Sequence, residues 1–197
     1  MLADHSRNKE FLAHLTSAKV VSCDSDNNVH MTSSMATVVN FDQVVRDYSD
    51  SRKISCACSA DAFYCDSTGA CYLIEFKNGK LDKGKMFEIK QKIYDSLLVL
   101  SDLTGTTLKD YRNELEFILV YNKEKNPDLF NAFPAPSNSP SLRMMTNGMA
   151  QKAKKPFKEE SLESFERYCF KRVSGMSADE FERSILEASQ SVWHDES

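Results

Sequence analysis

The stretch "CSADAFYCDSTGACYLIEFKNGK", residues 58–80, decides the fold, because it predicts two strands joined by a turn. Apolar and polar residues alternate on both sides of "DSTGA", in which Gly69 can adopt a positive φ. A turn centred on Thr68 sets the cross-strand pairs: Cys65 with Cys71, Phe63 with Leu73, and Asp61 with Glu75. The two carboxylates therefore face each other on neighbouring strands, and Lys77 lies one step further along the same face.

This pair of carboxylates predicts a cation site. Two carboxylates on adjacent strands repel each other, so they need either a shared proton or a bound cation. Mg²⁺ takes oxygen ligands and is commonly held by one or two carboxylates together with substrate phosphate. Asp61, Glu75 and the backbone carbonyl of Phe76 offer such oxygens. Lys77 would point at the same place, where an ammonium can orient water or offset the charge that develops on a phosphate.

The rest of the chain predicts alternating helices and strands. Helical patterns cover residues 5–17, 40–49, 86–104 and 161–167, and a last helix follows Ser177; Asn40 is the expected N-cap of the second. Strand patterns cover residues 53–65, 71–77, 115–122 and 168–173. Residues 22–35 predict a loop, and the Pro- and Ser-rich stretch around 134–158 predicts a mobile loop. At 197 residues, we expect one α/β domain over residues 1–197.

The motif itself, Asp61 followed 14 positions later by Glu75-Phe76-Lys77, resembles the PD-(D/E)XK nuclease superfamily. The resemblance covers about residues 40–122, although Ala60 stands where the family pattern has Pro. It implies a restriction-endonuclease-like mixed β-sheet flanked by helices, with an α-β-β-β-α-β core. By position it also implies that Asp61 and Glu75 bind Mg²⁺ or Mn²⁺ and that Lys77 is catalytic. Many members add a helical acid upstream, for which Glu10 and Asp47 both qualify.

The charge distribution is consistent with a polyanionic partner. The net charge is −4, yet residues 77–92 contain six lysines against two acids, and residues 143–158 contain five basic residues and no acid. Such concentrated basic segments can bind nucleic acid on one face of an acidic protein. The lysines expected to contact phosphates are Lys80, Lys83, Lys85, Lys90 and Lys92. DNA is favoured over RNA as the partner, and solvated surface lysines are the plainer explanation of the second segment.

The cysteines and the hydropathy suggest a compartment. Four of the six cysteines, at positions 56, 58, 65 and 71, lie in strand-like sequence without the spacing of zinc ligands, so we expect buried thiols. The N-terminal residues lack the apolar core of a secretory signal, and no apolar run is long enough to span a membrane. We therefore expect a cytoplasmic protein without disulfides and without a membrane partner.

Two functions remain open on the sequence. The first is a Mg²⁺-dependent nuclease, an endo- or exonuclease that hydrolyses phosphodiester bonds. The second is a catalytically inactive nuclease-like protein with a binding or regulatory role, of the immunity or accessory type. The spacing of one Asp followed by Glu-x-Lys also arises by chance in many proteins. The stretch would then be an edge hairpin whose Glu and Lys side chains are solvated and carry no chemistry.

Overall fold

A mixed six-stranded sheet flanked by helices forms the molecule, in a computed structural model that describes residues 2–127, 162–187, 192 and 193. The strands of this sheet are β1 (Leu15–Ser17), β4 (Thr37–Asn40), β5 (Ala62–Cys65), β6 (Cys71–Lys77), β7 (Leu115–Tyr121) and β8 (Arg172–Met176), adjacent in that order. A separate hairpin pairs β2 (Cys23–Asp24) with β3 (Val29–His30). The predicted α/β class is therefore confirmed.

The helices fall between these strands in the sequence. They are α1 (Lys9–Leu12), α2 (Ala18–Val21), α3 (Phe41–Arg52), α4 (Lys83–Thr104), α5 (Leu108–Glu114) and α6 (Ala178–Phe181). Short 3₁₀ turns cover Leu2–His5 and Leu162–Phe165, and a π-helical turn over Glu182–Leu186 extends α6. None of the helices in the described ranges has the length and apolar character needed to cross a bilayer.

The sheet is antiparallel at one end and parallel at the other. Strand β5 runs antiparallel to both β4 and β6, whereas β7 is parallel to β6 and β8 is parallel to β7. The long connection through α4 and α5 lets β7 return in the direction of β6, as a parallel pair requires. Strand β7 is buried over most of its length, which explains its continuous apolar sequence.

The register predicted for the central hairpin is confirmed. Phe63 pairs with Leu73 and Cys65 with Cys71, and the Asp61 N–H donates to the carbonyl of Ile74 at 3.0 Å. Gly69 lies in the turn with φ of 89°, in the left-handed region that favours glycine. The hairpin therefore has the geometry that its sequence predicts.

Local capping signals fix the ends of the two long helices. The Asn40 side chain accepts the N–H of Gln43 at 3.2 Å, which starts α3 as expected. Asp82 accepts the N–H of Lys85 at 2.9 Å and starts α4. Gly105, with φ of 70°, ends α4 in the left-handed conformation that helix C-termini favour.

Aromatic packing closes the core around Phe63 of β5. Its ring centroid lies 5.3 Å from that of Phe11, 6.3 Å from that of Phe41 and 6.2 Å from that of Trp193. The Trp193 indole N–H donates to the carbonyl of Ser6 at 2.8 Å, so this large side chain is both buried and hydrogen-bonded.

Several predicted elements are wrong in extent. Residues 5–17 do not form one helix: α1 is a single turn, and Leu15–Ser17 forms β1, which pairs with β4. Residues 22–35 contain the β2–β3 hairpin, residues 53–61 are irregular, and β8 begins at Arg172. The loop expected around 134–158 and the basic stretch 143–158 lie outside the described residues.

The cysteine expectations are wrong in part: Cys65 and Cys71 are buried as expected, but not as free thiols. Cys56 and Cys58 are exposed, because they lie in the irregular segment instead of a buried strand. Cys65 and Cys71 form a disulfide, because the hairpin register places them directly opposite each other.

Candidate active site

The hairpin brings Asp61 and Glu75 together at the start of β5. Asp61 immediately precedes β5, and its Oδ2 accepts the N–H of Phe76 at 2.6 Å. Glu75 lies in the middle of β6 and is fully buried. The two carboxylates thus lie on neighbouring strands, as the sequence predicts, and one of them is held by the backbone of the other strand.

Two ammonium groups neutralise this carboxylate pair. Lys77 Nζ lies 2.8 Å from Glu75 Oε1. Lys92, on α4, places its Nζ 3.1 Å from Asp61 Oδ1, 2.9 Å from Glu75 Oε1 and 3.1 Å from Glu75 Oε2. We call Asp61, Glu75, Lys77 and Lys92 the carboxylate–lysine cluster. Its formal charge is zero, and a lysine bridges the two acids.

Side chains of α3 and α4 position Asp61 by binding the irregular segment before it. The N–H of Cys58 donates to Asp95 Oδ2 at 3.0 Å, and the N–H of Ala60 donates to Ser96 Oγ at 2.9 Å. The Ser59 hydroxyl donates to Asp42, in the first turn of α3. These bonds satisfy a backbone that has no strand partner, so Asp61 is presented from a fixed loop.

Burial and neighbouring charges shift the pKa values of the cluster. Burial and the charge of Glu75 raise the pKa of Asp61 to about 7, against the opposing effects of Lys92 and the Phe76 N–H; the charge of Asp42 raises it further. Burial acts to lower the pKa of Lys92, but the charges of Glu75 and Asp61 outweigh burial and raise this pKa well above its usual value. Lys92 therefore stays charged at neutral pH, whereas Asp61 can exchange a proton there.

The Glu75 carboxylate is the most buried group of the cluster. Its Oε1 lies 2.8 Å from Lys77 Nζ and 2.9 Å from Lys92 Nζ, so two ammonium groups already compensate its charge. Asp61 and Glu75 are the two carboxylates with which proteins commonly hold Mg²⁺, and an ion bound between them would displace the Lys92 ammonium. The donor atoms therefore fit the predicted ion, with substrate and water as further ligands.

A richer metal site is absent from the described part of the chain. No group of three or more His, Cys, Asp or Glu side chains there is arranged to hold a metal ion. This excludes from those residues a closed structural site with three or four protein ligands of these types.

The sequence-predicted lysines do not form one surface. Lys92 was expected on an exposed basic face, and the structure corrects this, because its ammonium is part of the cluster. Lys85 lies two helical turns before Lys92 and pairs with Glu88 at 2.8 Å. Lys83 and Lys90 lie on the opposite side of α4 from Lys92, at about 100° per residue. Lys80 is exposed in the loop before α4.

The two upstream acids proposed from the sequence, Glu10 and Asp47, lie outside the carboxylate–lysine cluster. Glu10 and Asp47 both line a groove of about 350 Å³ between α1, α3 and the end of α4. There His14 Nε2 lies 2.9 Å from Asp47 Oδ2, and Arg52 pairs with Asp102. We call this the α1–α3 groove. The ion pairs of these two acids, with Lys9 and His14, lie outside the carboxylate–lysine cluster.

Sequence reasoning missed Asp42 and gave Lys92 a different role. Asp42 acts electrostatically on both Asp61 and Lys92. The pairing of Asn40 with Ala62 would have placed the first turn of α3 near Asp61, had strand β4 been recognised. Lys92 lies four residues before Ser96, on the helix face that binds residues 58–61, but only the structure shows which face of α4 this is.

Comparison of the chain with protein-family models, with curated proteins and with solved structures gave no match.

Proposed function

We propose that this chain is a Mg²⁺-dependent nuclease that hydrolyses phosphodiester bonds of nucleic acid, with DNA favoured over RNA. The observation that carries the proposal is the carboxylate–lysine cluster. It combines two carboxylates on neighbouring strands, full burial of the second carboxylate, and a lysine two residues after it.

The order of elements around the cluster supports a restriction-endonuclease-like core. Strands β4, β5 and β6 form an antiparallel series, α4 follows, and β7 returns parallel to β6. This order agrees with the α-β-β-β-α-β series of the PD-(D/E)XK superfamily. The chain departs from that series by carrying α3 between β4 and β5.

Each residue of the cluster has a chemical role in this proposal. Asp61 and Glu75 would hold the ion, which when bound supplies Lewis acidity toward the phosphate and acidifies water. Lys77 stays beside Glu75 on the rim of the cluster and stabilises negative charge that develops on the phosphate. Lys92 holds the two carboxylates in register and balances their charge before substrate arrives. Asp42 holds the Ser59 loop that presents Asp61.

The proposed phosphate contacts are the lysines on the side of the molecule that carries the carboxylate–lysine cluster. Lys85 shares a helix face with Lys92, and Lys80 lies in the loop between β6 and α4. Exposed lysines contribute to nucleic-acid binding mainly through counterion release, so affinity should fall steeply with salt. Lys83 and Lys90 lie on the far side of α4 and are not expected to reach the same phosphates.

A cleavage assay tests the proposal. Wild-type protein should cleave plasmid or single-stranded DNA only with Mg²⁺ or Mn²⁺, and Lys77→Ala should lose about 10²-fold in rate or more while the fold stays intact. Lys109→Ala is the matched control, because it removes an exposed lysine of α5 that has no part in the cluster or in the proposed phosphate contacts; it should keep the wild-type rate. Cleavage by Lys77→Ala at the wild-type rate would exclude the catalytic role of this lysine.

One observation favours the second candidate, a nuclease-like protein that binds without cleaving. Lys92 already neutralises both carboxylates, so the cluster is satisfied electrostatically without a metal. In that case wild-type protein binds nucleic acid, and neither Mg²⁺ nor Mn²⁺ supports cleavage of DNA or RNA. Metal-dependent cleavage by the wild-type protein, in which Lys92 is present, would rule this candidate out.

A further inference from the structure

Helix α4 exposes a stripe of large apolar side chains. Phe87, Tyr94 and Leu98 are 70%, 48% and 70% exposed. At about 100° per residue these three side chains and Gln91 fall on one narrow face of the helix, which we call the α4 stripe. The Tyr94 ring packs at 5.1 Å from Phe165, and the exposed Tyr168 lies on the same side. Exposed apolar residues grouped in this way mark an interaction surface.

The spacing of the stripe is that of a helix-pairing seam. Phe87, Gln91, Tyr94 and Leu98 follow one another by four, three and four residues, which is the alternation of a heptad repeat. Gln91 is the polar residue in this seam. A single polar side chain at such a position commonly fixes register and oligomeric state at some cost in stability.

The charges beside the stripe are sorted by edge. Lys83 and Lys90 lie on one edge, whereas Glu88 and Asp95 lie on the other. In a parallel pair of helices, a residue on the first edge faces the residue about five positions later on the second edge of the other helix. Lys83 of one copy then faces Glu88 of the other, and Lys90 faces Asp95. An antiparallel pair would instead bring the lysine edges together.

We propose that the α4 stripe binds a second copy of this chain, with the two α4 helices parallel and related by a two-fold axis along them. The interface is then self-complementary, as a closed dimer requires. Lys92 lies about 140° around the helix from the centre of the stripe, so the carboxylate–lysine cluster stays open in the dimer. The dimer does not depend on the proposed nuclease activity.

The mass of the protein in solution tests this interface. Light scattering on a sizing column should give the mass of two chains for wild-type protein at micromolar concentrations and the mass of one chain for Leu98→Glu. Met35→Glu is the matched control, because Met35 is 72% exposed and belongs to the segment before β4 instead of α4. It should remain a dimer. A single-chain mass for wild-type protein, or a Leu98→Glu dimer as stable as wild type, overturns the proposal.

A charge swap tests the parallel orientation. Lys83→Glu should weaken the dimer by about tenfold or more, since it places two acids opposite each other, and Glu88→Lys added to it should restore the affinity. Circular dichroism confirms that each variant is folded. A dimer strengthened by Lys83→Glu alone overturns the parallel arrangement, as does a double variant no tighter than the single one.

Discussion

Two charged clusters on the same chain differ in their burial, and this difference separates the candidate site from ordinary surface charge. The carboxylate–lysine cluster lies between β5, β6 and α4; Glu75 is fully buried there, and the side chains of Asp61, Lys77 and Lys92 are 16–23% exposed. The α1–α3 groove holds a similar number of charges, but Arg52, Asp47 and Asp102 are all well exposed there. Water therefore screens the second set much more than the first. Only the buried set therefore has a strong reason to carry chemistry.

The largest difference between the two clusters should appear when a positively charged side chain is replaced by a neutral one. In metal-free buffer, Lys92→Met should lower the free energy of unfolding by about 3–5 kcal/mol, because it leaves Lys77 as the single lysine counterion of two carboxylates that are buried or nearly so. Urea unfolding measures this, and Lys85→Met on the same helix is the control, expected to change stability by less than about 1 kcal/mol. A small effect of Lys92→Met would mean that solvent reaches the cluster freely.

The second difference concerns pH. The pKa of Asp61 is raised to about 7 in the folded protein, from an ordinary value of 3.8, by burial and by the charges of Glu75 and Asp42, against the opposing charge of Lys92; Lys77 faces Glu75. The folded state therefore binds the proton more tightly, so stability attributable to Asp61 is complete below about pH 4 and is lost as pH rises to about 7. This loss, on the order of a few kcal/mol, should be absent in Asp61→Asn.

Urea unfolding at several pH values in metal-free buffer checks this expectation. The difference between Asp61→Asn and wild-type protein should grow in favour of the variant between pH 4 and pH 8. Asp47→Asn, in the α1–α3 groove, should show no such trend. A difference curve for Asp61→Asn that is flat would contradict the raised pKa.

The third difference is the response to divalent ions. Millimolar Mg²⁺ or Mn²⁺ should stabilise wild-type protein by about 2.7 kcal/mol at one hundred times Kd, or roughly 5–10 °C in Tm. Asp61→Asn and Glu75→Gln should each abolish the shift, whereas Asp47→Asn should keep it. Differential scanning fluorimetry reads this directly, and equal shifts in all four proteins would place the ion elsewhere.

The smallest effect is expected in the groove. Arg52 pairs with Asp102 and lies 3.8 Å from the centroid of the Tyr48 ring, all at the surface. Arg52→Ala should cost less than about 1 kcal/mol in urea unfolding, and less still at high salt. A cost comparable to that of Lys92→Met would erase the distinction between the two clusters.

The local parts of the fold could be predicted from the sequence. The β5–β6 register, the Asn40 cap, helix α4 and strand β7 all depend on residues close together in the chain, where turn geometry and periodicity decide the outcome. For the same reason Asp61, Glu75 and Lys77 could be placed together, since the hairpin alone aligns them.

The remainder depends on distant contacts that no local pattern specifies. Leu15–Ser17 has helical spacing but forms β1, because it pairs with Thr37–Val39. Residues 53–61 alternate like a strand, yet Asp95 and Ser96 bind their backbone and keep them irregular. Lys92 resembled an exposed lysine because helical periodicity does not say which side of α4 meets β5 and β6.

The central claim is that Asp61 and Glu75 hold a divalent cation, and a crystal grown or soaked with Mn²⁺ tests it most directly. We expect an anomalous difference peak within ligand distance of Asp61 Oδ1 and Glu75 Oε1, with the Lys92 ammonium moved away from the two oxygens. Asp61→Asn crystals treated in the same way should lack the peak. A peak-free map for wild-type protein, with Lys92 still bridging the carboxylates at saturating Mn²⁺, would contradict the claim.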